Sequence, residues 1–136
     1  MIIDCHGHYT TAPPQLGQYR DAQIAAVRAD PGHASDLDLP EISDDDIRAS
    51  LEGAQVRLQR ERGTDLTLFS PRASWMGHHV GNIHTSRFWT EHCNDLIRRV
   101  CDLYPRNFAP VCQLPQSPGA AIDPSVDELR RCVEQM

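Results

Sequence analysis

The sequence predicts an α/β fold in which parallel strands are joined by crossover helices. Short apolar runs at residues 1–8, at 64–69 and from Phe108 onward alternate with stretches whose apolar residues recur at helical spacing. Such a sheet alone would leave both its edges unpaired, and an eight-unit βα barrel needs roughly 200 residues or more. We therefore expect the 136 residues to form the N-terminal part of a (β/α)8 barrel with about three βα units. That part would be one partial domain over 1–136, truncated at its C-terminal end; a small complete three-layer domain is the alternative.

The first strand and the first helix open the chain. "MIIDCHGH" predicts a strand over residues 1–8, because two isoleucines followed by an aspartate suit a half-buried strand. A Pro-Pro break then leads into a helix whose apolar positions are Leu16, Tyr19, Ile24 and Val27. "PGHASDLDLPEISDDD" at residues 31–46 is rich in Pro, Gly, Ser and Asp, and it predicts a long loop.

The second helix carries signals at both ends. Ser43 and Asp46 have the spacing of a capping box, and Gly63 suits a C-terminal cap. Between them the helical apolar positions are Ile47, Leu51, Ala54 and Leu58. We expect a helix that runs to Gly63, followed by a second strand, "TDLTLF", at residues 64–69.

Two more helices flank the third strand. The third helix ends before Pro105, and its predicted stripe is Phe88, His92, Leu96, Val100 and Leu103. "FAPVC" begins the third strand and leads into a loop rich in Pro and Gly. The last helix opens with Ser125 and Glu128 in capping-box spacing.

Charge and composition restrict the partners. The net charge of −6 and the pI near 5.5 argue against nucleic acid and against an anionic membrane surface, because both would recruit a basic patch. No apolar run approaches the ~18–20 residues that span a bilayer, so we expect a cytoplasmic protein that acts on small molecules or binds other subunits. Five widely spaced cysteines, none in a C-x-x-C pair, are expected to be free thiols buried as small hydrophobic residues.

The end of the first strand carries a candidate metal site. Side chains alternate along a strand, so His6 and His8 share one face. Neutral imidazole nitrogens are ligands for a zinc-like divalent ion, and Gly7 removes bulk between them. The alternative is a hydrogen-bonded core histidine beside an exposed one. Catalytic zinc usually takes a third protein ligand, but we do not expect it among the histidines that end no predicted strand: His33, His78, His79, His84 and His92.

Neighbouring residues suggest further roles. Asp4 lies on the face of the two histidines, where it would either accept a hydrogen bond from an imidazole or be satisfied by backbone amides. In "SPRAS", Ser70 and Arg72 could bind a substrate carboxylate, with His78 and His79 as additional donors. A solvated surface arginine is the alternative. In the loop after the third strand, Gln113 and Gln116 could also reach the site.

Four segments carry a family resemblance: "IIDCHGHYTTAP", "LTLFSPRAS", "GHHVGN" and "QLPQSPG". They resemble the N-terminal part of the 4-oxalomesaconate hydratases, amidohydrolase-superfamily enzymes close to the aminocarboxymuconate semialdehyde decarboxylases. The resemblance implies a distorted (β/α)8 barrel that holds a divalent metal, expected to be zinc, partly through His6 and His8. It also implies addition of water to an unsaturated tricarboxylate in protocatechuate 4,5-cleavage.

Other activities stay open. A decarboxylase or a hydrolase of the same superfamily would use the same first strand, and the deciding acid/base residues are expected beyond Met136. The chain taken alone could also be an inert metal-binding fragment, because its metal ligand set is incomplete. The full-length protein is expected to be a homo-oligomer.

Overall fold

The computed structural model describes residues 1–30, 37–72 and 75–135. Its strands form one parallel sheet in the order β1-β2-β3. The strands are β1 (Ile3–His8), β2 (Leu66–Ser70) and β3 (Phe108–Pro110). The helices are α1 (Pro14–Ala29), α2 (Asp44–Leu51), α3 (Arg57–Arg62), α4 (Ile83–Leu103) and α5 (Asp123–Gln135), with a π-helical turn (Glu52–Val56) between α2 and α3. The predicted α/β class with parallel strands and crossover helices is confirmed.

The hydrophobic core lies between the sheet and the helices. Phe69 of β2 is 1% exposed, and its ring centroid lies 4.5 Å from that of Phe108 on β3. α1 contributes Leu16 and Tyr19 to this core. The ring of Tyr19 is stacked on that of Trp89 in α4. Burial of these aromatic rings on facing elements fixes the positions of α1 and α4 relative to the sheet.

The second predicted helix is interrupted. Its capping box is confirmed: Asp46 N–H donates to Ser43 Oγ at 3.1 Å, and Ser43 N–H donates to an Asp46 carboxylate oxygen at 3.0 Å. Gly63 ends α3 with a φ of 67°, as a left-handed cap requires. Between them, however, the chain forms a π-helical turn, which adds a residue to the turn and is not visible in apolar spacing. Gln55 in this turn hydrogen bonds both Thr10 and Thr11 in the loop after β1.

The predicted face of α4 was partly wrong. Phe88 is 43% exposed, whereas Trp89 and Cys93 are buried at 3% each. The buried side of α4 also includes polar residues, among them Thr90 and Asn94, so an apolar stripe alone misplaced the face. Leu96 and Val100 are buried as predicted.

The predicted capping box of the last helix was also wrong. α5 begins at Asp123, so Ser125 lies inside its first turn and donates to Pro115 O at 2.6 Å. Glu128 is 2% exposed and accepts hydrogen bonds from Asn94 and from Arg131. Burial opposes ionisation, but these donors lower the pKa of the Glu128 carboxyl. Ser125 and Glu128 do form hydrogen bonds with residues of other elements, but not as caps of α5. Sequence spacing cannot distinguish these two roles, because the same residue types serve in both.

Two further predictions have mixed outcomes. All five cysteines are free, and Cys93, Cys101 and Cys132 are buried, but Cys5 is exposed, against the prediction of burial. The predicted loop over 31–46 lies partly outside the described residues, and its later part ends where α2 begins. Across the described ranges, no helix is long and apolar enough to cross a membrane.

Candidate functional site

The candidate site lies where β1 and β2 end. In the register of the pair, Asp4 faces Thr67, Gly7 faces Phe69 and the final residues His8 and Ser70 face each other. β1 thus carries one residue more than β2 between Asp4 and Gly7, which is a β-bulge. Bulges re-aim side chains at strand ends, and this one includes His6 and lies two residues before His8.

The two imidazoles converge on one point. His6 Nε2 and His8 Nε2 lie 3.1 Å apart, and the rings are nearly perpendicular. Two nitrogens that bind one zinc ion at ~2.0–2.1 Å with tetrahedral angles lie about 3.3 Å apart. The observed spacing therefore fits a single divalent ion held by both rings.

Gly7 allows the two strands to approach. A Cβ atom at this position would lie 2.2 Å from Thr67 Cγ2, 3.0 Å from Leu68 O and 3.2 Å from Phe69 Cδ2. Distances below 3.0 Å require the neighbouring atoms to move. Glycine between the histidines is thus required by the packing of β1 on β2, which holds His8 beside Ser70.

The other ring nitrogen of His8 faces two oxygen atoms. His8 Nδ1 lies 2.6 Å from Ser70 Oγ and 3.2 Å from the carbonyl oxygen of Pro71. Ser70 Oγ in turn donates to the carbonyl oxygen of Gly7 at 3.1 Å. The side chain that sequence reasoning assigned to a substrate carboxylate therefore contacts a candidate metal ligand directly.

The described residues place no third acidic, cysteine or histidine ligand beside His6 and His8. No group of three or more His, Cys, Asp or Glu residues that could hold a metal ion occurs within 1–30, 37–72 and 75–135. Asp4 accepts the backbone N–H of His6 at 3.1 Å, which is the backbone alternative named above. His92 packs against Tyr19, and burial lowers its pKa. His33 lies outside the described residues.

Arg72 lies on an open rim beside Trp75. Its guanidinium carbon is 5.7 Å from the centroid of the Trp75 ring, within the range of a cation–π contact. Arg20 of α1 donates to the Trp75 carbonyl and pairs with Asp21. These residues and Gly17 line a cavity of about 310 Å³. Arg20 and Trp75 were not predicted, since nothing in their local spacing places α1 beside the loop after β2.

His78 lies in a different rim cavity. That cavity has a volume of about 450 Å³ and includes Gln113, Gln116 and Trp89 in its lining. The predicted glutamines are therefore beside His78, while Arg72 lines the other cavity. His79 is exposed, and its ring lies 5.9 Å from that of His78.

The parallel α/β fold and the paired histidines at the end of β1 are typical of metal-dependent hydrolase barrels, and the comparison with known protein families supports this class. The amidohydrolase family model matches residues 3–136, so the chain belongs to the amidohydrolase family. This confirms the predicted resemblance at the level of the superfamily.

Two relatives narrow the comparison. The chain is 52% identical, over all 136 residues, to 2-keto-4-carboxy-3-hexenedioate hydratase of Sphingobium sp. (strain NBRC 103272 / SYK-6). Its structure matches the crystal structure of 4-oxalomesaconate hydratase from Rhodopseudomonas palustris with a TM-score of 0.85 over 99% of this chain, and the two sequences are 44% identical. The resemblance to these hydratases is confirmed.

The chain matches only part of each relative. It spans 39% of the Sphingobium protein and 40% of the Rhodopseudomonas structure, and it corresponds to their N-terminal portion. A solved structure described as an amidohydrolase II matches with a TM-score of 0.61 at 17% identity, covering 99% of this chain and 37% of that one, which shows the shared fold alone. The family model and the match to the hydratase structure confirm the predicted fold class, the N-terminal part of an amidohydrolase-type barrel.

Proposed function

We propose that the protein carrying this chain is a metal-dependent hydro-lyase that adds water to 4-oxalomesaconate in protocatechuate 4,5-cleavage. The observation that carries the proposal is the 52% identity to a hydratase along the whole chain. The structural match to a 4-oxalomesaconate hydratase at 44% identity supports the same reaction. We propose that the acid/base residues of that reaction lie in the part of the relatives' length that this chain does not cover.

His6 and His8 are the proposed metal ligands within this chain. Their Nε2 atoms lie 3.1 Å apart and suit one zinc ion. When bound, such an ion polarises a carbonyl or carboxylate oxygen or lowers the pKa of a bound water. Family membership supports a divalent metal, and the imidazole donors favour zinc as its identity. At least one further ligand is needed from outside the described residues.

The proposed substrate is a polyanion, which needs cationic and donor groups around it. Arg72 is exposed at the rim, and its planar guanidinium can bind a carboxylate through two hydrogen bonds. His78 and His79, both exposed, are proposed as additional donors, and Ser70 was predicted to share the carboxylate with Arg72. The cation–π contact of Arg72 with Trp75 supports the proposal, because it stabilises the guanidinium at the rim.

Removal of the histidines tests the proposal. In the intact gene product, His6→Ala and His8→Ala should lower the zinc content and abolish hydration of 4-oxalomesaconate. Hydration is measured as the loss of the conjugated absorbance of the substrate. His84→Ala is the matched control, since His84 is exposed at the start of α4. Unchanged zinc content and activity in both variants would refute the proposal. Release of carbon dioxide in place of hydration would assign a decarboxylase.

One further proposal concerns the compartment in which the protein acts. Five free cysteines support a reducing compartment, and we propose the cytoplasm. The predicted homo-oligomer stays a prediction.

A further inference from the structure

We propose that Ser70 is a positioning residue that holds His8 in the tautomer protonated at Nδ1, so that the lone pair of Nε2 is available to a metal ion. The inference rests on the proposed binding of a divalent ion by His6 and His8. It assigns to Ser70 a role at the metal ligand instead of the predicted role at the substrate carboxylate.

The carbonyl oxygen of Pro71 determines where the proton lies. This oxygen is 3.2 Å from His8 Nδ1, and a carbonyl can only accept a hydrogen bond. A favourable contact therefore requires a proton on Nδ1. A neutral imidazole carries one proton, so Nε2 is then unprotonated and faces His6 Nε2.

The hydroxyl of Ser70 completes the arrangement. It has one proton to donate, and the Gly7 carbonyl oxygen at 3.1 Å can only accept it. A lone pair of Oγ then faces His8 Nδ1 at 2.6 Å, a short distance for this kind of contact. In the proposed tautomer the hydrogen bonds run in one direction, from Nδ1–H to Ser70 Oγ and from Ser70 Oγ–H to Gly7 O. The opposite tautomer would place a bare Nδ1 against the Pro71 carbonyl, which is repulsive.

The backbone keeps Ser70 in place. Ser70 is the last residue of β2 and faces His8 in the parallel register. Its carbonyl oxygen accepts the N–H of Tyr9 at 2.9 Å, so both strands are joined at the level of the imidazole. Tyr9 is 2% exposed and its hydroxyl lies 2.6 Å from Ser50 Oγ, which anchors this end of β1 in the core. The serine hydroxyl is therefore presented to His8 by rigid elements.

Partners of metal-bound imidazoles commonly contribute 10- to 100-fold to metal affinity. We expect Ser70→Ala in the metal-free intact gene product to bind Co²⁺ about 10-fold more weakly. The loss is at the lower end of this range because the Pro71 carbonyl still contacts Nδ1 in the variant. Co²⁺ is the probe, titrated by visible absorbance. Ser70→Thr keeps the hydroxyl and should restore the affinity. Ser117→Ala is the matched control, since Ser117 lies in the loop after β3 and bonds Ala120 through its backbone carbonyl.

A spectroscopic readout separates positioning from general stability. Nitrogen-15 NMR of histidine-labelled, metal-free protein at about pH 8, where histidine is ordinarily neutral, should show His8 protonated at Nδ1. Ser70→Ala should shift His8 toward a mixture of tautomers. A wild-type His8 protonated at Nε2, or wild-type Co²⁺ affinity in Ser70→Ala, overturns the inference. A raised KM with unchanged Co²⁺ affinity also overturns it and assigns Ser70 to the substrate.

Failure of the proposed metal site can be distinguished from failure of the role proposed for Ser70. If wild-type protein bound no Co²⁺, or if His6→Ala and His8→Ala bound it normally, the proposed metal site would be refuted. The tautomer of His8 in the wild-type, metal-free protein is read independently of metal binding.

Discussion

Replacement of Gly7 by alanine should damage both the sheet and the candidate metal site. The added Cβ would lie 2.2 Å from Thr67 Cγ2, whereas two carbon atoms pack comfortably from about 3.5 Å. One of them must therefore move by roughly 1.3 Å. If the strands separated by that amount, hydrogen bonds such as Tyr9 N–H to Ser70 O, now 2.9 Å, would break.

Rotation of Thr67 offers no easy escape. Thr67 is 5% exposed, and its hydroxyl accepts a hydrogen bond from Gln59 Nε2 at 2.7 Å. Loss of a buried hydrogen bond costs about 1–3 kcal/mol, and overpacking typically costs 1–3 kcal/mol. We expect Gly7→Ala to lower the free energy of unfolding by about 2–4 kcal/mol. Urea unfolding of the intact gene product, followed by circular dichroism, measures this change.

Two variants make the test specific. Gly17→Ala, in α1, meets nothing within 4 Å and should be neutral or stabilising by up to about 1 kcal/mol. Thr67→Ser removes the clashing methyl group but keeps the hydroxyl for Gln59, so Gly7→Ala combined with Thr67→Ser should recover much of the loss. A Gly7→Ala protein as stable as Gly17→Ala, or a double variant without recovery, would show that the close approach of β1 and β2 is not what requires glycine.

Three further predictions follow from the packing and the rim. Glu128→Gln should lower the free energy of unfolding at neutral pH by about 1–3 kcal/mol. The pKa of Glu128 is lowered in the folded state, so its contribution is present above about pH 4.5 and is lost as the pH falls through the folded pKa; the difference in Tm between wild type and variant should shrink in acid. Arg72→Lys should raise KM for the tricarboxylate at least several-fold, because an ammonium cannot bind a carboxylate through a planar pair of hydrogen bonds; an unchanged KM contradicts the proposed contact. Burial raises the pKa of the Cys101 thiol to about 12 and that of Cys93 still further, so iodoacetamide should label both only after unfolding, as read by mass spectrometry.

Local signals were reliable where neighbours along the chain decide the structure. The capping box of Ser43 and Asp46 and the left-handed Gly63 depend on residues at most a few positions apart, and both were predicted. The shared face of His6 and His8 follows from the geometry of a strand end, although the β-bulge before Gly7 was not predicted. The same kind of signal misplaced Ser125, because spacing cannot show whether a side chain caps its own helix or bonds another element.

The sequence by itself determined the class of fold, the start of α2, the end of α3, and the pair of imidazoles at the end of β1. Tertiary structure decided which side of α4 is buried, the turn that brings Gln55 to Thr10, and the contact of Ser70 with His8. The physical reason is sequence separation: Ser70 and His8 are 62 residues apart. Only the register of β1 on β2, fixed by the packing of Gly7 and Phe69, brings their side chains together.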